Sequence, residues 1–280
     1  MVVERHRAAG REFEAAGLRS FVLDEGEGEP VVCMHGVPAS SFLYRRLVPE
    51  LAARGLRGVA FDLPGLGLAD RPEDFDYSWT GLGAWSAAAV DALGLDRFHL
   101  VVHDIGGPVG LELAAARLER VASITLLNTI VEVDVFKRPW SMEPFARRGL
   151  GELYLATLAK PAFYRLFRLQ GARSTPREEV YAYVDLLKRE DRGRAFLRIM
   201  RGFERTPEKS RLYRDTLRAV PRKQIIWGRD DPALKLDVHG EQVREAAGLD
   251  EIHAIAGKHF VPEDQPEEIA QRVAALAGAG

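Results

Sequence analysis

Short apolar runs, bounded by polar or glycine-containing turns, recur along the chain and read as buried strands. Residues 11–34 hold two short strands and then a buried one ending in Val31-Val32-Cys33-Met34, broken by the turn-rich segment Asp24-Glu25-Gly26-Glu27-Gly28-Glu29-Pro30. Further runs lie at Gly58-Val59-Ala60-Phe61, Phe98-His99-Leu100-Val101-Val102, Ala122-Ser123-Ile124-Thr125-Leu126-Leu127, Gln224-Ile225-Ile226-Trp227 and Ile252-His253-Ala254-Ile255. Segments with helical periodicity separate them. Strands alternating with helices predict an α/β fold built on a mostly parallel, doubly wound sheet covered on both faces.

The alternation is interrupted once, between Leu127 and Gln224, where no strand pattern occurs. That stretch holds helix starts instead. Thr175-Pro176-Arg177-Glu178 offers a capping residue, Pro at the first helical position and Glu three residues on, and Thr206-Pro207-Glu208 repeats the style. A helical insertion of this length reads as a cap or lid. The expected organisation is a core made of residues 1–131 and 220–280, with a helical cap over 132–219 placed before the strand at Gln224.

Composition narrows the picture by exclusion. The 280 residues are 46% hydrophobic and 29% charged, the balance of a globular protein with a sizeable core. A net charge of -2 gives no nucleic-acid surface, which needs clustered Lys and Arg without matching acids. The single cysteine, Cys33, sits in an apolar run and reads as a buried structural thiol. No apolar run has the length of a signal-peptide core near Met1 or of a membrane span anywhere, so the expectation is a cytoplasmic protein without a membrane partner. The sequence carries no signal of oligomeric state.

The chemistry centres on Val101-Val102-His103-Asp104-Ile105-Gly106-Gly107-Pro108, an apolar strand that turns at Asp104 into a helix rich in small residues. This is the layout of a nucleophile elbow, in which a strained strand-to-helix turn lifts one side chain above the carboxyl end of a sheet. An Asp that merely caps the next helix is the simpler alternative. An aspartate is already ionised at neutral pH and needs no base before it attacks. Attack on a carboxylic ester would give an unstable anhydride, whereas attack on a saturated carbon gives an ordinary alkyl ester. Alkyl halides, epoxides and similar electrophiles are therefore the fitting small-molecule substrates.

Three further segments supply what such chemistry needs. The turn Met34-His35-Gly36-Val37-Pro38 can aim the Val37 backbone N–H at the site, where with the Ile105 N–H it would form an oxyanion hole. Trp227-Gly228-Arg229-Asp230-Asp231-Pro232 closes a strand and offers Asp231, with Asp230 as its rival, to orient a histidine. Gly257-Lys258-His259-Phe260 follows the last strand and supplies that histidine. His35 and His103 lack metal-ligand spacing and read as satisfying buried backbone groups, so no metal and no organic cofactor is expected. The glycines at 65, 67, 106 and 107 do not complete a nucleotide-binding fingerprint. The basic residues Arg147-Arg148 and those from Arg165 to Arg173 read as a solvated face.

Together these segments resemble the haloalkane dehalogenase and epoxide hydrolase branch of the α/β-hydrolase superfamily. The likeness is carried by His35–Arg45, by Phe61-Asp62-Leu63-Pro64-Gly65-Leu66-Gly67-Leu68-Ala69-Asp70-Arg71-Pro72 and by the Asp104 turn, and is strongest towards dehalogenases. It implies Asp104 as nucleophile, His259 as base, Asp231 as acid, and Val37 and Ile105 as oxyanion donors. Two positions depart from the family: dehalogenases typically carry Trp directly after the nucleophile and many carry Asn after His-Gly, both halide donors, where this chain has Ile105 and Val37. An aliphatic side chain donates no hydrogen bond. A dehalogenase reading then needs a donor from the cap, such as Trp140, with His35 a further candidate contact. An epoxide hydrolase reading needs a tyrosine acid, and among the cap tyrosines Tyr154, Tyr164, Tyr181, Tyr183 and Tyr213 the best placed along the chain are Tyr154 and Tyr213. A third reading is a binding protein of this fold with vestigial catalysis.

Overall fold

The computed structural model describes residues 1–278. Eight strands form one sheet: β1 (Arg11–Ala15), β2 (Leu18–Glu25), β3 (Glu29–Met34), β4 (Leu56–Phe61), β5 (Phe98–Asp104), β6 (Val121–Thr129), β7 (Lys223–Gly228) and β8 (His253–Ile255). Their order is β1-β2-β4-β3-β5-β6-β7-β8. β1 and β2 pair antiparallel, as do β2 and β4, and the remaining pairs are parallel. The centre of the sheet follows from its composition. Every residue of β6 is buried, and so are all of β5 except Asp104, because both faces of these strands lie under helices.

Three local features differ from the sequence reading. A helix, Val2–Ala8, precedes the first strand. β2 and β3 extend into the turn-rich segment and leave only Gly26-Glu27-Gly28 as the turn, where Gly26 adopts φ +95°. Thr175 does not cap the helix Arg177–Arg192; its hydroxyl points to Glu263, and Pro176 stands at the cap position. Thr206 does cap Pro207–Ala219, accepting from the Lys209 N–H. Cys33 is fully buried, and burial pushes its thiol far up.

No strand lies between Thr129 and Lys223 among the described residues; that stretch carries helices at Glu143–Ala146, Leu150–Thr157, Lys160–Leu166, Arg177–Arg192, Arg194–Arg201 and Pro207–Ala219. Buried ion pairs join it to the rest. The Arg71 guanidinium, 3% exposed, bonds Asp191 and the carbonyls of Leu186 and Leu187. Glu263, whose side chain is fully buried, accepts from Arg45 and from the Tyr183 hydroxyl, while Glu179 accepts from both Arg45 and Arg46. A buried charge with several partners is costly to leave unpaired, so these links fix the helical segment in place.

Candidate active site

Asp104 ends β5 with φ +54°, a left-handed conformation that side chains rarely adopt. The helix Gly106–Ala116 starts at once beyond it. The surroundings hold the turn. The Thr129 hydroxyl donates to the Asp104 carbonyl at 2.6 Å, and a Cβ on Gly36 or Gly107 would collide with the Asp104 carboxylate or the Thr129 hydroxyl. Asp104 Oδ1 accepts the Val37 N–H at 2.8 Å, and the adjacent Ile105 N–H helps to keep the same carboxylate ionised. Asp62, fully buried, accepts the N–H groups of Ser41 and Leu68 at 2.6 Å each and so braces the loop that carries Val37.

His259 lies between two carboxylates. Its Nε2 is 3.4 Å from Asp104 Oδ2, and its Nδ1 is 2.8 Å from Asp231 Oδ2. Asp231 is held by the backbone N–H groups of Ala233 and Leu234 and by the Asn128 amide at 2.8 Å. Burial alone would lower the imidazole, but the negative charges of Asp231 and Asp104 raise it to about 10. The carboxyls move the opposite way: burial would raise both Asp104 and Asp231, and the His259 charge and hydrogen bonds hold both below the ordinary value. The resting site is therefore a carboxylate, an imidazolium and a carboxylate in a row.

The remaining sequence candidates divide clearly. Asp230 is exposed and pairs with Arg173, so it is not the histidine's partner. His35 is fully buried with both ring nitrogens used, Nδ1 donating to the Gly36 carbonyl and Nε2 accepting from the Leu63 N–H at 3.0 Å each. It braces the loop and does not line the cavity. His103 Nε2 donates to the His259 carbonyl at 2.7 Å, its Nδ1 has no partner, and burial pushes its imidazole down to about 4.

A cavity opens above Asp104 and His259. Val37 and Ile105 line it, together with apolar side chains from the helical segment such as Phe136, Met142, Phe163, Phe167 and Met200. The expected donors are elsewhere. Trp140 is 72% exposed and turned away, because its neighbours Pro139 and Ser141 are the ones that face inward. Tyr154 stacks on Phe145 outside the cavity. Tyr213 is fully buried on the far side of its helix, donating to Glu112 at 2.8 Å, and burial beside that carboxylate pushes its phenol far up. No tyrosine lines the cavity among the described residues.

The polar groups that do face it were missed by the sequence reading: Ser141, Gln170 and Arg138. The Ser141 hydroxyl donates to Gln170 Oε1 at 2.9 Å, which leaves the Gln170 amide N–H groups for another acceptor. Gln170 sits in a π-helical turn, Phe167–Gly171, an irregularity enriched at functional sites. That turn is bonded directly to the histidine loop, the Gln170 carbonyl accepting the His259 N–H at 3.2 Å and the Gly171 carbonyl the Phe260 N–H at 2.8 Å. Asn128, also missed, lies at the end of β6 with φ +34° and bridges Asp231 to the Gly228 N–H.

The described residues contain no group of side chains able to hold a metal ion and no helix long and apolar enough to cross a membrane. Residues 29–266 match the family model of the alpha/beta hydrolase fold. Haloalkane dehalogenase 2 of Mycobacterium tuberculosis is 28% identical over 94% of this chain and 93% of its own length. A haloalkane dehalogenase of Psychrobacter cryohalolentis is 38% identical over 42% of this chain and 40% of its own. Among solved structures, Cfl2 of Burkholderia cenocepacia superposes with a TM-score of 0.77 at 26% identity, covering 95% of this chain and 94% of that one. The epoxide hydrolase CorEH shares the fold with a TM-score of 0.78 at 20% identity over 96% and 98%. With a family match that takes in most of the molecule, the chain belongs to the α/β-hydrolase family and is an enzyme of that family, similar to haloalkane dehalogenases and epoxide hydrolases.

Proposed function

We propose that the protein hydrolyses a small organic electrophile through an alkyl ester on Asp104, with the helical segment 132–219 acting as its cap. The observation that carries this reading is the Asp104 carboxylate, held at a strained turn by the Val37 N–H, open to an apolar cavity and next to His259. Asp104 Oδ2 attacks a saturated carbon, the carbon–leaving-group bond breaks, and the leaving group takes the electron pair. Water then attacks Asp104 Cγ while His259 Nε2 removes its proton, and Asp231 steadies the imidazolium. The negative charge collects on Oδ1, where the N–H groups of Val37 and Ile105 bond it. The alcohol leaves and the carboxylate returns.

The leaving group needs a donor, and the Gln170 amide, oriented by Ser141, is the side-chain donor at the cavity wall next to His259. A halide requires hydrogen bonds alone, whereas an epoxide oxygen requires a proton. With no tyrosine in the cavity among the described residues, the donor set favours the halide. The test is a single turnover in heavy-oxygen water with a bromoalkane. Label is expected in the Asp104 carboxylate, and His259→Gln is expected to accumulate an alkyl adduct visible by intact-protein mass. Label confined to the alcohol would refute the covalent route, and tight ligand binding without any adduct would make the protein a binder.

A further inference from the structure

The cavity holds one positive side chain whose partners do not account for it. Arg138 lines the cavity with its side chain 7% exposed. One of its N–H groups is fully used, Nη2 donating to the Met200 carbonyl at 2.7 Å, and its plane lies over the Phe203 ring with Cζ 4.5 Å from the centroid. Nε is buried with no partner. Its carboxylate partner, Glu143, forms only a long ion pair at 3.7 Å from Nη1, is 41% exposed and is shared with Arg147 at 3.6 Å. Arg205 adds like charge nearby. Buried guanidinium groups are normally matched by a carboxylate or phosphate in bidentate geometry. Arg138, in a mostly apolar wall, has only the long Glu143 contact and no bidentate match among the described residues.

We infer that Arg138 is a binding site for an anionic group on the substrate, and that the natural substrates are halocarboxylic acids rather than neutral haloalkanes. The inference rests on the covalent reading for its chemistry, while the carboxylate site itself does not. A planar carboxylate suits a single guanidinium fork, and the aromatic and methionine side chains around it suit a short alkyl chain running from Arg138 to the carbon that Asp104 attacks. The step is the one already written, in which halide leaves with its electron pair and the product is the hydroxy acid.

The test compares wild type, Arg138→Gln and Arg138→Lys on a homologous series of ω-bromocarboxylates and the primary bromoalkanes of matched length. Wild type is expected to favour at least one carboxylate by about ten- to a hundredfold in kcat/KM, the size of one charge-assisted contact. In Arg138→Gln that ratio is expected to collapse towards unity, whatever happens to the absolute rates. Arg138→Lys keeps the charge but not the fork, so it should retain part of the ratio, and it reports the site if the Gln variant does not fold. Calorimetric titration with an unreactive alkanoate and its amide gives a second readout that needs no reaction. Preference for the alkanoate, lost in Arg138→Gln, supports the site even where no alkyl-enzyme forms. Turnover of bromoalkanes without preference for the matched acids overturns it and leaves the covalent reading standing. An equal slowing of both series by Arg138→Gln also overturns it, because Arg138 would then be serving the leaving group.

Discussion

In the proposed reaction His259 must change character between the two chemical steps, and the size of that change follows from the site. The resting imidazole is raised to about 10 by the carboxylates on either side, so at neutral pH it is protonated and cannot act as a base. The first step does not need one, because Asp104 is held ionised below its ordinary value. Alkylation then converts the Asp104 carboxylate into a neutral ester. At the 3.4 Å separation of Nε2 and Oδ2, removing one unit charge in a medium of effective dielectric near 20 is worth about 5 kcal/mol. That drops the His259 pKa from about 10 to between about 6 and 7, where the imidazole is free to take a proton from water.

The two steps should therefore depend on pH differently. Alkylation is expected to be flat across about pH 5 to about pH 9, because Asp104, held below its ordinary value, stays ionised throughout and no base takes part. Hydrolysis of the ester is expected to rise about tenfold per pH unit up to a midpoint between about 6 and 7, then level. Rapid quench with a bromoalkane, followed by intact-protein mass, measures both. Wild type at low pH should accumulate the alkyl adduct, and a jump to pH 8 should discharge it. Equal discharge rates on both sides of that midpoint would refute the reasoning, as would an alkylation rate that itself climbs through it.

Two other outcomes follow from the placement of the donors. Gln170→Leu is expected to slow alkylation about a hundredfold, corresponding to about 3 kcal/mol for one lost donor, with chloride affected more than iodide because the poorer leaving group depends more on hydrogen bonds; stopped-flow traces on a matched halide series check this. Tyr154→Phe and Tyr213→Phe should leave kcat near wild type on halide and epoxide alike, since neither hydroxyl reaches the cavity, while Tyr213→Phe should cost about 1 kcal/mol of stability through the lost Glu112 bond, read from denaturant unfolding.

Strand positions were legible because buried parallel strands are continuous apolar runs, and β5, β6 and β7 carry theirs in full view. Asp104, Asp231 and His259 could be picked out because each sits where such a run ends and a turn begins. The cavity donors had no comparable mark. Arg138 and Ser141 belong to an irregular stretch before the helix Glu143–Ala146, and Gln170 to a π-helical turn, so no simple periodicity fixes where their side chains point. Tyr213 was readable and misjudged. With Ser210 and Leu217 it forms the buried stripe of Pro207–Ala219, a helix that packs on Gly106–Ala116, which excludes it from the cavity side.

The bonding pattern separates the parts that perform the proposed chemistry from the parts that select the substrate. His259 and Gln170, the proposed base and leaving-group donor, lie on segments joined backbone to backbone, and the Lys258 ammonium adds bonds of 2.6 Å to the Arg168 carbonyl and 2.9 Å to that of Leu169. Their separation is thus set by main-chain geometry, which side-chain rearrangement alters little. Arg138, Phe136 and Met142 come from the irregular stretch, tied to the Arg194–Arg201 helix through the Arg138 contact with the Met200 carbonyl. Substitutions there are expected to change what fits above Asp104 without moving His259 relative to Gln170. A fold built this way can hold one two-step hydrolysis constant while its substrate range changes, and a charged residue in the variable wall is where a preference for acids over neutral halides would be introduced.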